Sequence, residues 1–265
     1  MTDHPTYDPL AMTARAEPAD GEPEKVSYET GDADAGGDDG FALAPGEAQE
    51  AGHAYRFSRK LEILSDPASA QSASVGALRN HLSQQHLGLG RRSLAICSVS
   101  DDVNRSLVSA SLAIAAAQAG ASTVLVDANL REPALDAYFN PTGTQPGLSD
   151  YLDGRVPDPA NIVAADVLPN LALVHAGTPT AASHTLLASR DFDDFLAGLM
   201  RSYDFTIVDC PAARHSGDTR RIASVVRYAL IVTRQDVSYI SDLKQLVDEL
   251  TGDRVSIVGT FLNVG

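Results

Sequence analysis

The chain has 265 residues and a formal net charge of −15, but most of this charge lies near the N-terminus. Residues 1–50 hold thirteen Asp or Glu against Arg15 and Lys25, a net charge of −11, which leaves −4 for the remaining 215 residues. The body therefore lacks the basic excess of a nucleic-acid-binding protein, and no run of roughly 18 apolar residues predicts a membrane span.

Residues 1–55 are rich in Asp, Glu, Gly, Pro and Ala, and we predict that they form a disordered acidic tail. Such a segment buries too little apolar surface to offset the entropy lost on ordering. It could dock on a basic partner or act only as a solvated spacer, and the sequence leaves both open. No secretory signal precedes it, so we expect a cytoplasmic protein.

Residues 56–265 are predicted to form one α/β domain. A helix is expected over about 70–86, where apolar residues recur every three or four positions. Further helices are predicted over 105–119, about 184–201 and 238–250, and strands over 94–98, 123–126, 171–175, 205–208, 229–233 and 256–262. Apolar strands alternating with helices predict a mostly parallel sheet with helices on both faces.

Polar residues gather where these strands end. Asp127 and Asp209 close two of the strands, and Asp101 follows a third. Ligands of parallel sheets bind at the carboxyl ends of the strands, so this edge is the candidate site. Cys97 and Cys210 follow no metal-binding or disulfide spacing and are expected to be buried, reduced thiols.

Several segments carry a resemblance through their order along the chain. They are VLVDANLREP at 124–133, GLSDYLDG at 147–154, AGTP at 176–179, LLAS at 186–189 and YDFTIVDCP at 203–211. Over about residues 70–265, they resemble the bacterial tyrosine kinase family, P-loop proteins that partner polysaccharide co-polymerases. The resemblance implies a P-loop NTPase-like fold and a role in capsule, exopolysaccharide or holdfast-type adhesin assembly.

The phosphate loop departs from that family. The family pattern Gly-x-Gly-Lys-Ser-Thr falls on residues 102–107, which read Asp-Val-Asn-Arg-Ser-Leu. A carboxylate held about 4 Å from a phosphate repels it by on the order of 4 kcal/mol. We therefore expect no bound cofactor. If the loop still binds ATP and Mg²⁺, its cofactor-binding residues are Asn104, Arg105 and Ser106.

The resemblance also assigns two carboxylates. Asp127 falls on the Walker A-prime position, the family's magnesium-associated carboxylate and candidate catalytic base, and Asp209 falls on Walker B. Together with Ser106, they would form a vestigial magnesium site. Alternatively, both aspartates cap strand ends and hydrogen-bond the loop backbone. Asn129 replaces an acidic residue common in the family, which weakens the metal interpretation.

Other charged residues give weaker signals. His175 and His184 are expected to be ordinary core or surface histidines, and Arg131 is a candidate for holding the loop after Asp127. Residues 214, 215, 220 and 221 form a modest basic patch that could contact phosphate or simply face solvent. The family's ring-forming charges fall on 73, 76 and 79, where only Arg79 is charged. Self-association is left open, and autophosphorylating rings are not expected.

We favour a pseudokinase-like module over two alternatives. It would dock on an inner-membrane polysaccharide co-polymerase, which recruits it to the inner face of the plasma membrane. The first alternative is an active ATP-dependent protein-tyrosine kinase of the same pathway. The second is a partitioning-type positioning ATPase, which would need the lysine that this loop lacks.

Overall fold

A computed structural model describes residues 41–43, 55–215 and 217–263, so the predicted acidic tail lies outside it except for residues 41–43 and 55. The strands of these residues are β1 (Phe41–Leu43), β2 (Arg56–Ser58), β3 (Ser93–Ser98), β4 (Thr123–Asp127), β5 (Val163–Leu168), β6 (Leu171–Val174), β7 (Phe205–Ala212), β8 (Tyr228–Arg234) and β9 (Ser256–Asn263). The α-helices are α1 (Glu62–Ser65), α2 (Ala70–Gln85), α3 (Arg105–Gln118), α4 (Asp136–Phe139), α5 (Leu148–Leu152), α6 (Ser183–Leu187), α7 (Arg190–Ser202), α8 (Asp218–Val226) and α9 (Ile240–Gly252).

Seven strands form one sheet in the order β5-β6-β4-β7-β3-β8-β9. All neighbours in it run parallel except β5, which lies antiparallel to β6 at one edge. β1 and β2 form a separate antiparallel ribbon. The predicted mostly parallel α/β fold is confirmed.

Helices cover both faces of this sheet, because successive side chains of a strand point to opposite sides. On β3, Leu94 and Ile96 pack in a core with Leu82 of α2 and Leu112 of α3. Ala95 and Cys97 pack in the second core, which is closed by large apolar side chains of α7, α8 and α9 (Phe192, Leu196, Ile222, Leu246, Leu250). Cys97 and Cys210 are both buried and free, as expected.

Among the described residues, the sequence prediction missed the short elements β1, β2, α1, α4 and α5 and gave α6 and α7 as one helix. It also missed two longer elements and ended one strand too early. β5 and α8 were not predicted, and β7 continues to Ala212 rather than stopping at 208. β5 is a weak strand by composition because Asp166 lies at its centre. Every residue of β7 is buried, including Asp209. Within the described ranges, no helix combines the length and apolar character needed to cross a bilayer.

Candidate functional site

The loop between β3 and α3 lies at the carboxyl edge of the sheet and keeps a left-handed turn without glycine. A 3-10 turn spans Asp101–Val103, and Asn104 then adopts φ 56° and ψ 37°. Asn is among the few non-glycine residues that tolerate this region. The carbonyl of Asn104 accepts the amide of Val108 at 3.2 Å. The chain therefore makes this left-handed turn at a residue other than glycine.

Arg105, the first residue of α3, points into the protein. Its side chain is only 4% exposed. Nε donates to Asp209 Oδ1 at 3.1 Å, and Nη1 donates to Ser98 Oγ at 3.0 Å. Burial opposes the guanidinium charge, but Asp209 outweighs it, so the pKa of Arg105 is raised. The arginine at the position of the family's lysine thus belongs to a buried ion pair.

Asp209 receives all of its side-chain donors from α3. Besides Arg105, Ser109 Oγ donates to Oδ1 at 2.7 Å, and Ser106 Oγ donates to Oδ2 at 2.6 Å. The carboxylate is fully buried. A buried carboxylate is tolerable only when it is paired and hydrogen-bonded, and three donors meet this requirement. The start of α3 is thereby fixed to β7.

Asp127 lies beside Asp209, since the two residues are paired in the register of β4 and β7. Its donors are backbone amides: Asn129 to Oδ1 at 3.0 Å, and Ala134 and Leu135 to Oδ2 at 3.2 and 3.1 Å. Burial and the charge of Asp209 raise the pKa of Asp127 to about 7, although the three amides oppose the shift. Asp127 organises the loop that follows β4.

Asn129 holds the same loop through both ends of its amide. Its Nδ2 donates to the Glu132 carbonyl, and its Oδ1 accepts the Glu132 amide at 3.3 Å. A carboxylate at this position has no hydrogen to give the carbonyl when ionised. These contacts favour an amide over a carboxylate at position 129.

The contacts around Asp209 do not fit a magnesium–triphosphate complex. Arg105 would have to leave its ion pair before it could meet a phosphate, and an incoming cation would compete with it for Asp209. In the described part of the chain, no group of three or more His, Cys, Asp or Glu side chains is placed to hold a metal ion. Asp101 is exposed, and its charge contributes to the raised pKa of Arg105. The loop therefore carries a negative charge of its own in addition to Asp209.

The basic residues singled out in the sequence are paired with aspartates where their side chains are described. Arg131 reaches Asp218 of α8 at 3.5 Å and does not hydrogen-bond the loop after Asp127 in the contacts described. In the predicted basic patch, Arg214 meets Asp242 at 2.6 Å, Arg220 meets Asp253 at 2.7 Å, and Arg221 meets Asp193. The side chain of residue 215 lies outside the described set. The patch is therefore largely neutralised.

His175 is a buried histidine with two specific partners. Nε2 contacts Tyr55 Oη at 3.0 Å, and Nδ1 contacts Asp136 Oδ1 at 2.6 Å. Burial, followed by the charge of Asp136, raises the pKa of Tyr55 to about 12. Asp136 also lines an open cleft of about 870 Å³ with Arg155 and Thr178. His184 is exposed beside Asp218.

Sequence reasoning missed Ser98 and Ser109, which complete the polar cluster under the loop. Ser109 has a recognisable signal, because it follows Arg105 by four residues and Ser106 by three, on one face of a helix. Ser98 gives no such signal. Nothing in sequence spacing connects Tyr55, Asp136 and His175 either.

Comparison with known proteins gives consistent matches. The chain is 31% identical over 196 residues to tyrosine-protein kinase CpsD of Streptococcus agalactiae, covering 72% of this chain and 84% of that one. It is 26% identical over 203 residues to CapB, a putative tyrosine-protein kinase of Staphylococcus aureus, covering 77% and 88%. The kinase domain of Escherichia coli tyrosine kinase ETK superposes with a TM-score of 0.72 at 24% identity, over 77% of this chain and 79% of that one. No protein-family model matches the chain.

Proposed function

Because the chain belongs to the bacterial tyrosine kinase family, we propose that it acts in surface polysaccharide assembly and export as a pseudokinase-like module. Residues 56–265 dock on the cytoplasmic side of an inner-membrane polysaccharide co-polymerase and regulate or scaffold its work. The protein stays in the cytoplasm and reaches the membrane through that partner. The acidic residues before Tyr55 would form a tail attached to this module, whereas Tyr55 itself packs within it.

The main observation behind the proposal is that the Arg105 side chain is already engaged in an internal ion pair. The residue that would hold a phosphate is buried against Asp209 and Ser98. Turning it outward would leave Asp209 buried without its cation. Breaking a buried pair in this way costs about 3–5 kcal/mol.

Asp101 adds a second penalty. A carboxylate about 4 Å from a phosphate repels it by on the order of 4 kcal/mol at an effective dielectric constant near 20. Each 1.4 kcal/mol corresponds to about a tenfold loss of affinity. The two effects together support a loss of several decades in triphosphate affinity, while the sheet and its helices stay intact for docking.

The test pairs a docking measurement with a transfer measurement. The full chain is co-expressed and co-purified with an inner-membrane polysaccharide co-polymerase, and the complex is incubated with radiolabelled ATP and Mg²⁺. We expect stable co-purification and no label on either protein. Label that is lost in Asp127→Asn would overturn the pseudokinase proposal, and loss of co-purification would overturn the docking proposal.

The active kinase is the second candidate. Ser106 Oγ donates to Asp209 Oδ2 at 2.6 Å, and Asp127 is paired with Asp209 in the register of β4 and β7. In this candidate, oxygens of these three side chains would hold the magnesium ion. With an acceptor tyrosine on the partner, this candidate predicts magnesium-dependent labelling. The same radiolabel experiment separates the two candidates.

A further inference from the structure

The outer edge of β9 differs from the other edge of the same sheet. We propose that residues 259–262 of β9 pair antiparallel with the same strand of a second copy of this chain. The pairing would join two seven-stranded sheets across a two-fold axis. This inference stands apart from the proposed function, since it needs neither nucleotide nor a membrane partner.

The β5 edge carries devices that discourage pairing. Asp166 lies within the strand, exposed, with φ 57°, and the register with β6 shifts between Ala164 and Leu168. Charges and irregularities on an edge strand are how sheets avoid joining other sheets. This edge is protected.

β9 has few such devices. Its eight residues, SIVGTFLN, include no charged residue and no proline. The register with β8 shifts once, at Val258, and is regular from Gly259 onward. Among the described strands, β9 pairs with β8 alone and so ends the sheet. A regular, uncharged edge is a template for another strand.

Burial along β9 also indicates a missing neighbour. None of its eight residues is buried, whereas the five central residues of the adjacent β8 all are. Ile257, Val258 and Phe261 are half-buried, and Leu262 is 48% exposed. The half-buried side chains pack against the rest of the domain but have no neighbouring strand at the outer edge of the sheet among the described residues.

The neighbouring helix extends the apolar surface. The exposed large apolar side chains of the described residues are Leu89, Tyr239, Ile240 and Leu262. Three of these four belong to β9 or to the start of α9, which packs on β9. Tyr239 is 70% and Ile240 83% exposed. Exposed apolar side chains gathered on two adjacent elements favour an interaction site at this end of the sheet.

Charge favours a second copy over the acidic tail as the occupant. The tail carries a net charge of −11, and the adjacent α9 is itself acidic, with Asp242, Asp248 and Glu249 against Lys244. A second β9 brings a strand without charge, and one patch serves both copies, as two-fold interfaces require. The two-fold axis keeps both α9 helices on one face of the joined sheet. Their carboxylates then repel weakly, and salt screens that repulsion.

Sedimentation velocity on the full chain tests the proposal with Thr260→Lys, an exposed β9 position, and the matched control Ala165→Lys, an exposed position on β5. The wild type should pass from its 27.9 kDa monomer to twice that mass as concentration rises to about 200 µM. Thr260→Lys should weaken dimerisation by roughly tenfold or more, because like charges on paired strands repel. Ala165→Lys should leave it unchanged, and added salt should tighten the dimer.

Hydrogen exchange of β9 supplies an independent readout. Amides of residues 259–262 should exchange more slowly at high than at low protein concentration, and Thr260→Lys should abolish the difference. A wild type that stays monomeric, a dimer indifferent to Thr260→Lys, or one equally weakened by Ala165→Lys overturns the proposal. Dimerisation that appears only after residues 1–50 are removed also overturns it, because the tail would then be the occupant.

Discussion

Asp127 and Asp209 are the same residue type, stand side by side on neighbouring strands, and are held by different donors. Asp127 is bound by the backbone amides of residues 129, 134 and 135, which do not require particular side chains at those positions. Asp209 is bound by an arginine and two serines of α3, whose identities decide its environment. Asp127 therefore depends on the backbone of the loop after β4. Asp209 depends on the side chains at the start of α3.

The largest effect should come from breaking the Asp209 side of this pair. Arg105→Met leaves a buried carboxylate without its cation and should lower the free energy of unfolding by about 3–5 kcal/mol in urea titrations. The control is Arg190→Met, whose ion pair with Asp194 is exposed and should matter by roughly 0.5 kcal/mol or less. Equal losses of unfolding free energy in the two variants would show that the buried ion pair contributes no more to stability than the exposed one.

The raised pKa of Asp127 should make the free energy of unfolding depend on pH. The folded protein holds a proton on Asp127 up to about pH 7, whereas the unfolded chain releases it near the ordinary value of 3.8. Stability from this group is therefore present at low pH and lost as pH rises through 7. Between pH 5 and 8, the wild type should lose about 2–3 kcal/mol relative to Asp127→Asn, at 1.36 kcal/mol per pKa unit.

Urea unfolding at four pH values checks this slope. Asp194→Asn, at an exposed carboxylate of α7, serves as the control and should run parallel to the wild type. Parallel curves for Asp127→Asn as well would contradict the raised pKa. The comparison uses slopes, so a change in the absolute stability of the variant does not affect it.

A matched pair of serines on α3 isolates the hydrogen bond to Asp209. Ser109→Ala removes a buried donor to that carboxylate and should cost about 1–3 kcal/mol. Ser111 is also buried on α3, but its hydroxyl has no hydrogen-bond partner among the described residues, so Ser111→Ala should be neutral or stabilising. Chemical denaturation of both variants measures the difference, and a reversed order would refute the assigned role of Ser109.

The smallest effect should come from replacing the amide at position 129 with a carboxylate. Asn129→Asp loses the donor to the Glu132 carbonyl and should cost about 1 kcal/mol, or roughly 2–4 °C in Tm for a domain of this size. Thermal unfolding with and without Mg²⁺ measures it. An increase of Tm on adding Mg²⁺ to this variant would mean that Asn129 alone prevents magnesium binding in the wild type.

Sequence reasoning located the scaffold because local patterns specify it. Apolar runs placed the central strands, and their parallel order predicted that Asp127 and Asp209 would meet at one edge. β5 escaped prediction because Asp166 interrupts a short run. α8 escaped it because Arg220 and Arg221 obscure its apolar side, although both pair with aspartates elsewhere in the fold.

The orientation of Arg105 could not be read from the sequence. Its partners Ser98 and Asp209 lie on two different strands, one of them 104 residues away. A flexible side chain at a helix start can point outward or inward, and only assembly of the sheet decides between them. The contact of Tyr55 with His175 was hidden for the same reason, at a separation of 120 residues.

The central claim is that the rebuilt loop no longer binds Mg-ATP, and calorimetric titration of the full chain tests it directly. A variant with Asp102→Gly, Asn104→Gly, Arg105→Lys and Leu107→Thr restores the family pattern and serves as the comparison. We expect no binding heat from the wild type at nucleotide concentrations up to about 1 mM. A Kd of about 1 mM corresponds to a binding free energy of roughly −4 kcal/mol, so any binding would be weaker than that. A micromolar Kd for the wild type that disappears in Asp209→Asn would contradict the claim.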